Sequence, residues 1–353
     1  EVMYVLQNMT YYIAAAYYNK QTPSINRFFE SMEFGLPEYT KFYDLTDTTV
    51  FMTSKVPYEP KFDYTSLTRM QYKYYGKSKV DTSDVVKESQ VYFDKNNNEA
   101  ISVEVFKNSR YYKMESEKEF VRLAKLYASE FGDYTVKDEK LQKFNDGLQL
   151  DFYLTDTNSI KTIRCMVLLK NQTKYLVQAY VDPILGESKF VTTFFDNFKP
   201  IDSLTGKNVF IDKGDLLFKD IYSTDTNQVN AAISAIFDIK SEAKYISEYM
   251  KLAKNIPAQA KNPVAFKSMM YRKIGKVGDK TVIPYLKEEY MRAGDTADYQ
   301  FAILRGLCLM NKPEAVTAYK ELLLTETPFG QSNSDFMLFD GLRDSIKLSA
   351  ALY

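Results

Sequence analysis

The stretch of this sequence nearest to a ligand-binding pattern is Asp94-Lys95-Asn96-Asn97-Asn98-Glu99. Closely spaced oxygen-bearing side chains open a calcium loop, which also needs Gly at its sixth position and a bidentate carboxylate at its twelfth. Those positions hold Glu99 and Val105. An Asn-rich hairpin turn is the better reading. Gly275-Lys276-Val277-Gly278-Asp279-Lys280-Thr281 has the look of a phosphate loop, but no strand precedes it and helical patterns flank it, so an interhelical turn is expected. Glu115, Glu117, Glu119, Asp133, Asp138 and Glu139 flank a helical pattern at 116–131. Acid–base catalysis would need two of them to converge in a cleft; a solvated face with a helix cap is the simpler expectation. Asn8-x-Thr10 and Asn171-x-Thr173 fit the N-glycosylation pattern. Both fall at hairpin tips, where Asn supplies the positive φ that a tight turn uses. Tyr72, Tyr74, Tyr75, Tyr111 and Tyr112 lie among Lys and Arg, as in single-strand nucleic-acid platforms.

Composition weighs against several of these chemistries. Lys+Arg and Asp+Glu both number 46, so no net field draws nucleic acid, and the tyrosines read as sheet positions or a protein-contact surface. With no His, the chain offers neither a His-ligated metal site nor a Ser-His or Cys-His pair. With no Trp it lacks the strongest stacking side chain. Cys165 and Cys308 sit in apolar surroundings and read as buried free thiols in preference to a disulfide. No catalytic, metal or cofactor-binding residue is assigned. No apolar run approaches the roughly 18 residues of a membrane span. No signal peptide opens the sequence at Glu1, and the chain is expected to belong to a longer polypeptide.

The elements that would position any site are laid out by a repeat. Residues 165–199 read as a hairpin followed by a short helix ending in a double Phe, and residues 2–34 read the same way. Met3-Tyr4-Val5-Leu6 answers to Met166-Val167-Leu168-Leu169, and Phe28-Phe29-Glu30-Ser31-Met32 to Phe194-Phe195-Asp196-Asn197-Phe198. The double Phe is therefore expected to close a core. One hairpin and one helix bury too little to stand alone. Residues 1–37 are accordingly expected to be the C-terminal part of a first α+β module, with an upstream part of the same polypeptide packed on them.

A second α+β module follows at 38–200. A strand is expected at 48–56, a long excursion at 58–90 with one strand near 67–75, and a hairpin at 90–93 and 100–107. A helix is expected at 116–131, with Ser116 and Glu119 as a capping box. Strands near 134–137, 148–154, 161–169 and 174–182 precede a helix at 188–198. The expected fold class is α+β, an antiparallel sheet with helices on one face. Residues 201–213 read as a linker. From 214 to 353 the apolar period is that of helices, paired at 227–239 with 241–255, 263–276 with 280–292, and 296–310 with 313–325, while 328–353 holds a loop and one more helix. Spacings of this kind mark an all-α, HEAT-like repeat domain.

The runs YYIAAAYYNKQTPSINRFFESMEF, TVFMTSKVPYEP and FFDNFKPIDSLTGKNVFIDKGDLLFKDIYSTD resemble the C-terminal region of long TraB/GumN-family proteins of Bacteroidetes-type bacteria. The resemblance covers nearly the whole chain and implies PsbP-like α+β repeats followed by helical repeats, downstream of a metal-dependent, peptidase-like domain. That domain is marked by Gly-x-x-His motifs; this sequence has no His, so no catalytic residue carries over. The resemblance also implies export to the periplasm or outer membrane. Asp202-Ser203-Leu204, Asp295-Thr296-Ala297 and Asp344-Ser345-Ile346 resemble O-glycosylation triplets of such proteins. The leading expectation is a non-catalytic protein-binding or assembly region that contacts protein partners through its helical surface, with no nucleic acid and no transmembrane segment. The alternatives are the regulatory or substrate-presenting part of a metal-dependent peptidase, and a lipid or small-ligand pocket in the α+β module, left unfilled by Phe120, Tyr127, Phe194 and Phe195.

Overall fold

The structure, a computed structural model, describes residues 2–7, 10–33, 35–60, 86–129, 133–144, 147–158, 161–202, 206–237, 239–294 and 296–328. The strand expected near 67–75, Tyr72, Tyr74, Tyr75, Asn8, and the helix expected beyond 328 lie outside the described residues. Two compact units divide the chain, 1–211 and 212–353. The fold is α+β with antiparallel sheets.

Unit 1 opens with β1 (Val2–Gln7), β2 (Thr10–Ala15) and α1 (Pro23–Glu30). The repeat seen in the sequence is a repeat in space. β1 and β2 pair from Val2↔Ala15 to Gln7↔Thr10. Adding 163 to these positions gives Cys165↔Gln178 and Lys170↔Thr173, which are pairs in the hairpin of β9 (Thr162–Lys170) and β10 (Thr173–Val181). Adding 166 to Pro23–Glu30 gives 189–196, inside α3 (Lys189–Asn197). A two-residue loop, one register and one following helix thus recur.

The complete module is built on a six-stranded antiparallel sheet in the order β5-β6-β10-β9-β8-β7, with β5 (Val86–Asp94), β6 (Glu99–Lys107), β7 (Tyr134–Phe144) and β8 (Gly147–Asp156). A smaller sheet has the order β11-β4-β3, with β3 (Tyr43–Asp47), β4 (Met52–Val56) and β11 (Lys199–Pro200). Successive strand residues point to opposite faces, and here both faces are buried. Val103, Met166, Leu168, Tyr175 and Val177 form one core with Phe190, Val191, Phe194 and Phe195 of α3 and with Leu45, Met52 and Val56 of the small sheet. Leu150, Phe152, Cys165, Val167 and Leu176 form the other with Phe120 and Ala124 of α2 (Glu117–Ala128). This corrects the expectation of helices on one face: α2 and α3 cover opposite faces. The physical sign is the near-unbroken apolar run of β9, which a sheet wetted on one side does not need.

Each element starts where local chemistry allows. Ser188 Oγ accepts from Val191 N at 3.2 Å and starts α3. Ser116 Oγ accepts from Glu119 N at 3.2 Å, while the Glu119 carboxylate accepts from Glu115 N at 2.7 Å. The reciprocal arm therefore reaches one residue further back than in a capping box. The double Phe closes the core as expected: Phe194 lies 6.2 Å from Phe190 and 5.2 Å from Tyr92, ring centre to ring centre. Ser54 Oγ donates to Phe194 O at 2.7 Å and ties α3 to β4. Residues after α3 stay on the module. Lys199 and Pro200 pair with Thr53 and Met52, and Val209 is buried with its carbonyl accepting from Met114 N at 3.0 Å.

In unit 2 the described elements are helical: α4 (Gly214–Ile221), α5 (Thr226–Ala235), α6 (Ile246–Lys254), α7 (Pro263–Val277), α8 (Ile283–Ala293), α9 (Ala297–Leu309) and α10 (Pro313–Thr325). Asp225 and Asn262 cap α5 and α7, and Pro263 and Pro313 take N-terminal positions where a missing N–H costs nothing. Gly278, at φ 73°, ends α7 in the left-handed conformation. Gly275 has a different role from the expected turn residue. It lies within α7, and a Cβ placed on it would fall 2.1 Å from Gly306 O in α9. Bare backbone there lets α7 and α9 touch.

Candidate functional site

The structure gathers Asp94, Glu99 and Tyr39 at the end of the β5–β6 hairpin. Asp94 and Glu99 face each other across the ladder. Tyr39 Oη donates toward Glu99 Oε2 at 2.5 Å and Asp94 Oδ2 at 2.9 Å. Asp94 also accepts from Asn96 N at 3.1 Å and from the Asn97 side chain at 2.8 Å, so the Asn-rich stretch is a turn organised by its leading aspartate. Asn98, at φ 53°, takes the left-handed position. Burial pushes Glu99 up from its ordinary value, with Asp94 adding to the rise and bonds from Tyr39 and Ser188 opposing it. A phenol carries one proton, so it fully satisfies only one of two carboxylate acceptors, and burial of Glu99 favours its neutral form. Burial and both carboxylates hold the Tyr39 phenol far above its usual range, keeping it a donor.

A parallel arrangement sits next to it. Asp47 accepts from Thr49 N at 2.7 Å and from Tyr92 Oη at 2.9 Å, fixing the turn in which Phe51 takes φ 52°. A third cluster joins Tyr153 and Arg164 to Glu187, with the Arg164 guanidinium 4.4 Å from the centre of the Phe195 ring. Tyr153 is held up to about 12 by burial and then by Glu187. These groups were not singled out in the sequence. A signal existed, since Arg164 interrupts an otherwise apolar strand and a cation there must find an anion.

What these clusters do chemically is hold turns and pack helices. Asp94 and Glu99 are 5% and 4% exposed, too enclosed to meet a substrate. The same logic recurs where Asp156, Asp182 and Asp279 accept from backbone N–H groups two residues on. Among the described residues, no group of three or more His, Cys, Asp or Glu side chains is placed to hold a metal ion.

The other sequence candidates separate. Glu117 pairs with Lys143 at 2.6 Å and Glu139 with Lys125 at 2.5 Å, so the carboxylates around α2 go to different lysines. Asp138 sits at a register shift of β7, at φ 52°. Asn171 has φ 54°, as its turn requires, and Thr173 of that triplet is buried. Gln172 next to it is a buried tie: its amide donates to Ser109 O at 2.9 Å and accepts from Lys207 N at 3.2 Å. Tyr111 is buried and Tyr112 half-buried. Cys165 and Cys308 are buried free thiols, each pushed up to about 12 by burial. Phe120, Phe194 and Phe195 fill the two cores, taking the space a lipid would need. A pocket of about 160 Å³ lies between Glu117, Lys143, Asn171 and Phe210, below the ~300–1,000 Å³ of sites for drug-sized ligands.

Fold and clusters together define an antiparallel α+β protein joined to a helical unit, with buried polar groups holding turns and tying elements together. Compared with known proteins, the sequence matches no family model, and no curated protein matches it. No described helix is long and apolar enough to cross a membrane.

Proposed function

We propose that this chain is a non-catalytic protein-binding or assembly region of an exported cell-envelope protein, acting in the periplasm or at the outer membrane through a HEAT-like helical array. The observation that supports the reading is a recurrence of contacts and buried positions at 33–34 residues within unit 2. Lys280 reaches Glu314 at 3.3 Å and Lys287 reaches Glu321 at 2.5 Å, each pair 34 residues apart, and Lys273 donates to Ile239 O across the same interval. Buried positions recur in step: Val282 and Ala315, Leu286 and Tyr319, and Glu289 and Leu322 are each 33 apart. Stacks of this kind present a continuous surface to an extended partner. Met291 and Leu324, also 33 apart, are exposed at matching places on α8 and α10.

The test uses the purified 353-residue chain against a cell-envelope extract, with a Met291→Ser/Leu324→Ser variant alongside. Retention of a defined protein by the parent chain and its loss by the variant support the reading. No retention, equal retention by both, or peptide hydrolysis by the chain itself overturns it. Export is supported by the resemblance of the sequence alone.

A further inference from the structure

We infer that the seam between α7 and α9 is a site for a phosphate group, held by Arg272 and Arg305. The two helices touch backbone to backbone there. A Cβ on Gly275 would fall 2.1 Å from Gly306 O, and one on Gly306 would fall 2.9 Å from Tyr271 O. Arg272 follows Tyr271 and Arg305 precedes Gly306, so the close approach sets the two arginine positions beside each other on neighbouring helices. Both residues are half-buried.

Arg272 lacks the acceptor that such a position calls for. Its Nε is buried and has no hydrogen-bond partner among the described residues. Burial, and then the Arg305 cation, lower the Arg272 guanidinium from its ordinary value, so the fold puts a second cation where an anion is wanted. Residues one turn away share a helix face. At those positions around Arg272 and Arg305 neither helix supplies a carboxylate, and the charged residue there is Lys276. A buried N–H with nothing to bond costs free energy until an acceptor reaches it.

That acceptor has to face two cations and reach across two helices. A carboxylate has two oxygens, which a single guanidinium fork occupies. A phosphate group has oxygens left for a second fork, and near neutral pH it carries close to two negative charges. Arg305 has five N–H donors, enough to serve the ligand together with any other partner. The inference stands apart from the partner-binding reading, whose exposed Met291 and Leu324 lie on α8 and α10.

Titration calorimetry and thermal melts of the 353-residue chain test this, in phosphate-free buffer at constant ionic strength. Inorganic phosphate and glycerol phosphate are the probes, and acetate is the carboxylate control. At least one of the two phosphates is expected to bind and raise the Tm, and acetate to do neither. The tighter of the two shows whether the group arrives free or as an ester. Arg272→Gln and Arg305→Gln are each expected to weaken binding by about tenfold or more. Arg272→Lys keeps the charge and loses the fork, so it is expected to bind more weakly than the parent; it carries the comparison if Arg272→Gln does not fold. No binding of either phosphate, acetate binding as well as phosphate, or undiminished affinity in the Arg272 variants overturns the inference.

Discussion

Gly275→Ala is the most informative single change in the helical unit. The added Cβ would lie 2.1 Å from Gly306 O, 2.5 Å from its carbonyl carbon and 2.6 Å from its Cα. All three are backbone atoms, so no side chain can swing aside. Restoring an ordinary contact of about 3.4 Å requires α7 and α9 to part by roughly 1.3 Å along that line (3.4 less 2.1), which loosens the interface around Met270, Ile274, Ile303 and Leu307. Overpacking of this kind costs about 1–3 kcal/mol. Against it stands the helix preference for Ala, worth about 1 kcal/mol. The net expectation is a loss of up to about 2 kcal/mol, confined to the unfolding of unit 2. Urea titration of the full chain, followed by exchange of α7 and α9 amides, measures it. Gly278→Ala is the comparison, because the nearest atom beyond its chain neighbours, Met310 O, is 3.5 Å from the added carbon and its cost comes from φ 73° alone. If Gly275→Ala exceeds the parent in stability, the close approach of α7 to α9 is wrong.

Three further outcomes follow from the polar interior. Glu99 is raised by burial, so its neutral form is favoured in the fold; its stabilising contribution is complete below the ordinary Glu value of 4.5 and is lost as pH rises through the raised one. Glu99→Gln is expected to flatten that part of the stability–pH curve, measured by thermal melts between pH 4 and about 7. Tyr39→Phe leaves buried Asp94 and Glu99 short of a donor and is expected to cost about 1–3 kcal/mol by urea unfolding. Gln172→Ala removes the bonds to Ser109 and Lys207 and is expected to cost a similar ~1–3 kcal/mol, with faster exchange confined to 108–112 and 206–209.

The parts of this fold most legible in the sequence are those whose pattern is local. Pro263, Pro313, Ser188 and Gly278 mark helix ends by their own stereochemistry. The hairpin-helix echo fixes register because a one-residue slip would turn every side chain to the wrong face. β7 extends to Phe144, well past the expected 137, because Lys137, Asp138, Glu139, Lys140 and Lys143 make this stretch of an edge strand mostly charged and exposed, a composition that guards against edge pairing and hides the strand. β3 and α4 are short and interrupted by Asp44, Asp47 and Lys219, too few residues to establish a period. The buried clusters could not be read at all from spacing. Tyr39 meets Asp94 and Glu99 across 55 and 60 residues, and only the folded chain makes them neighbours.

The tyrosine–carboxylate contacts also give the molecule an optical property. The chain has 29 Tyr and no Trp, so its ultraviolet emission comes from phenols. Tyr39, Tyr92, Tyr127, Tyr153 and Tyr271 each donate to a carboxylate in the fold. Such contacts draw off excitation by proton sharing, and unfolding breaks them. The native protein should therefore be dim and brighten as it opens. In alkali, buried phenols such as Tyr92 and Tyr271 should keep the ultraviolet spectrum of the neutral phenol past the point where free tyrosine turns to phenolate, then ionise together as the structure gives way.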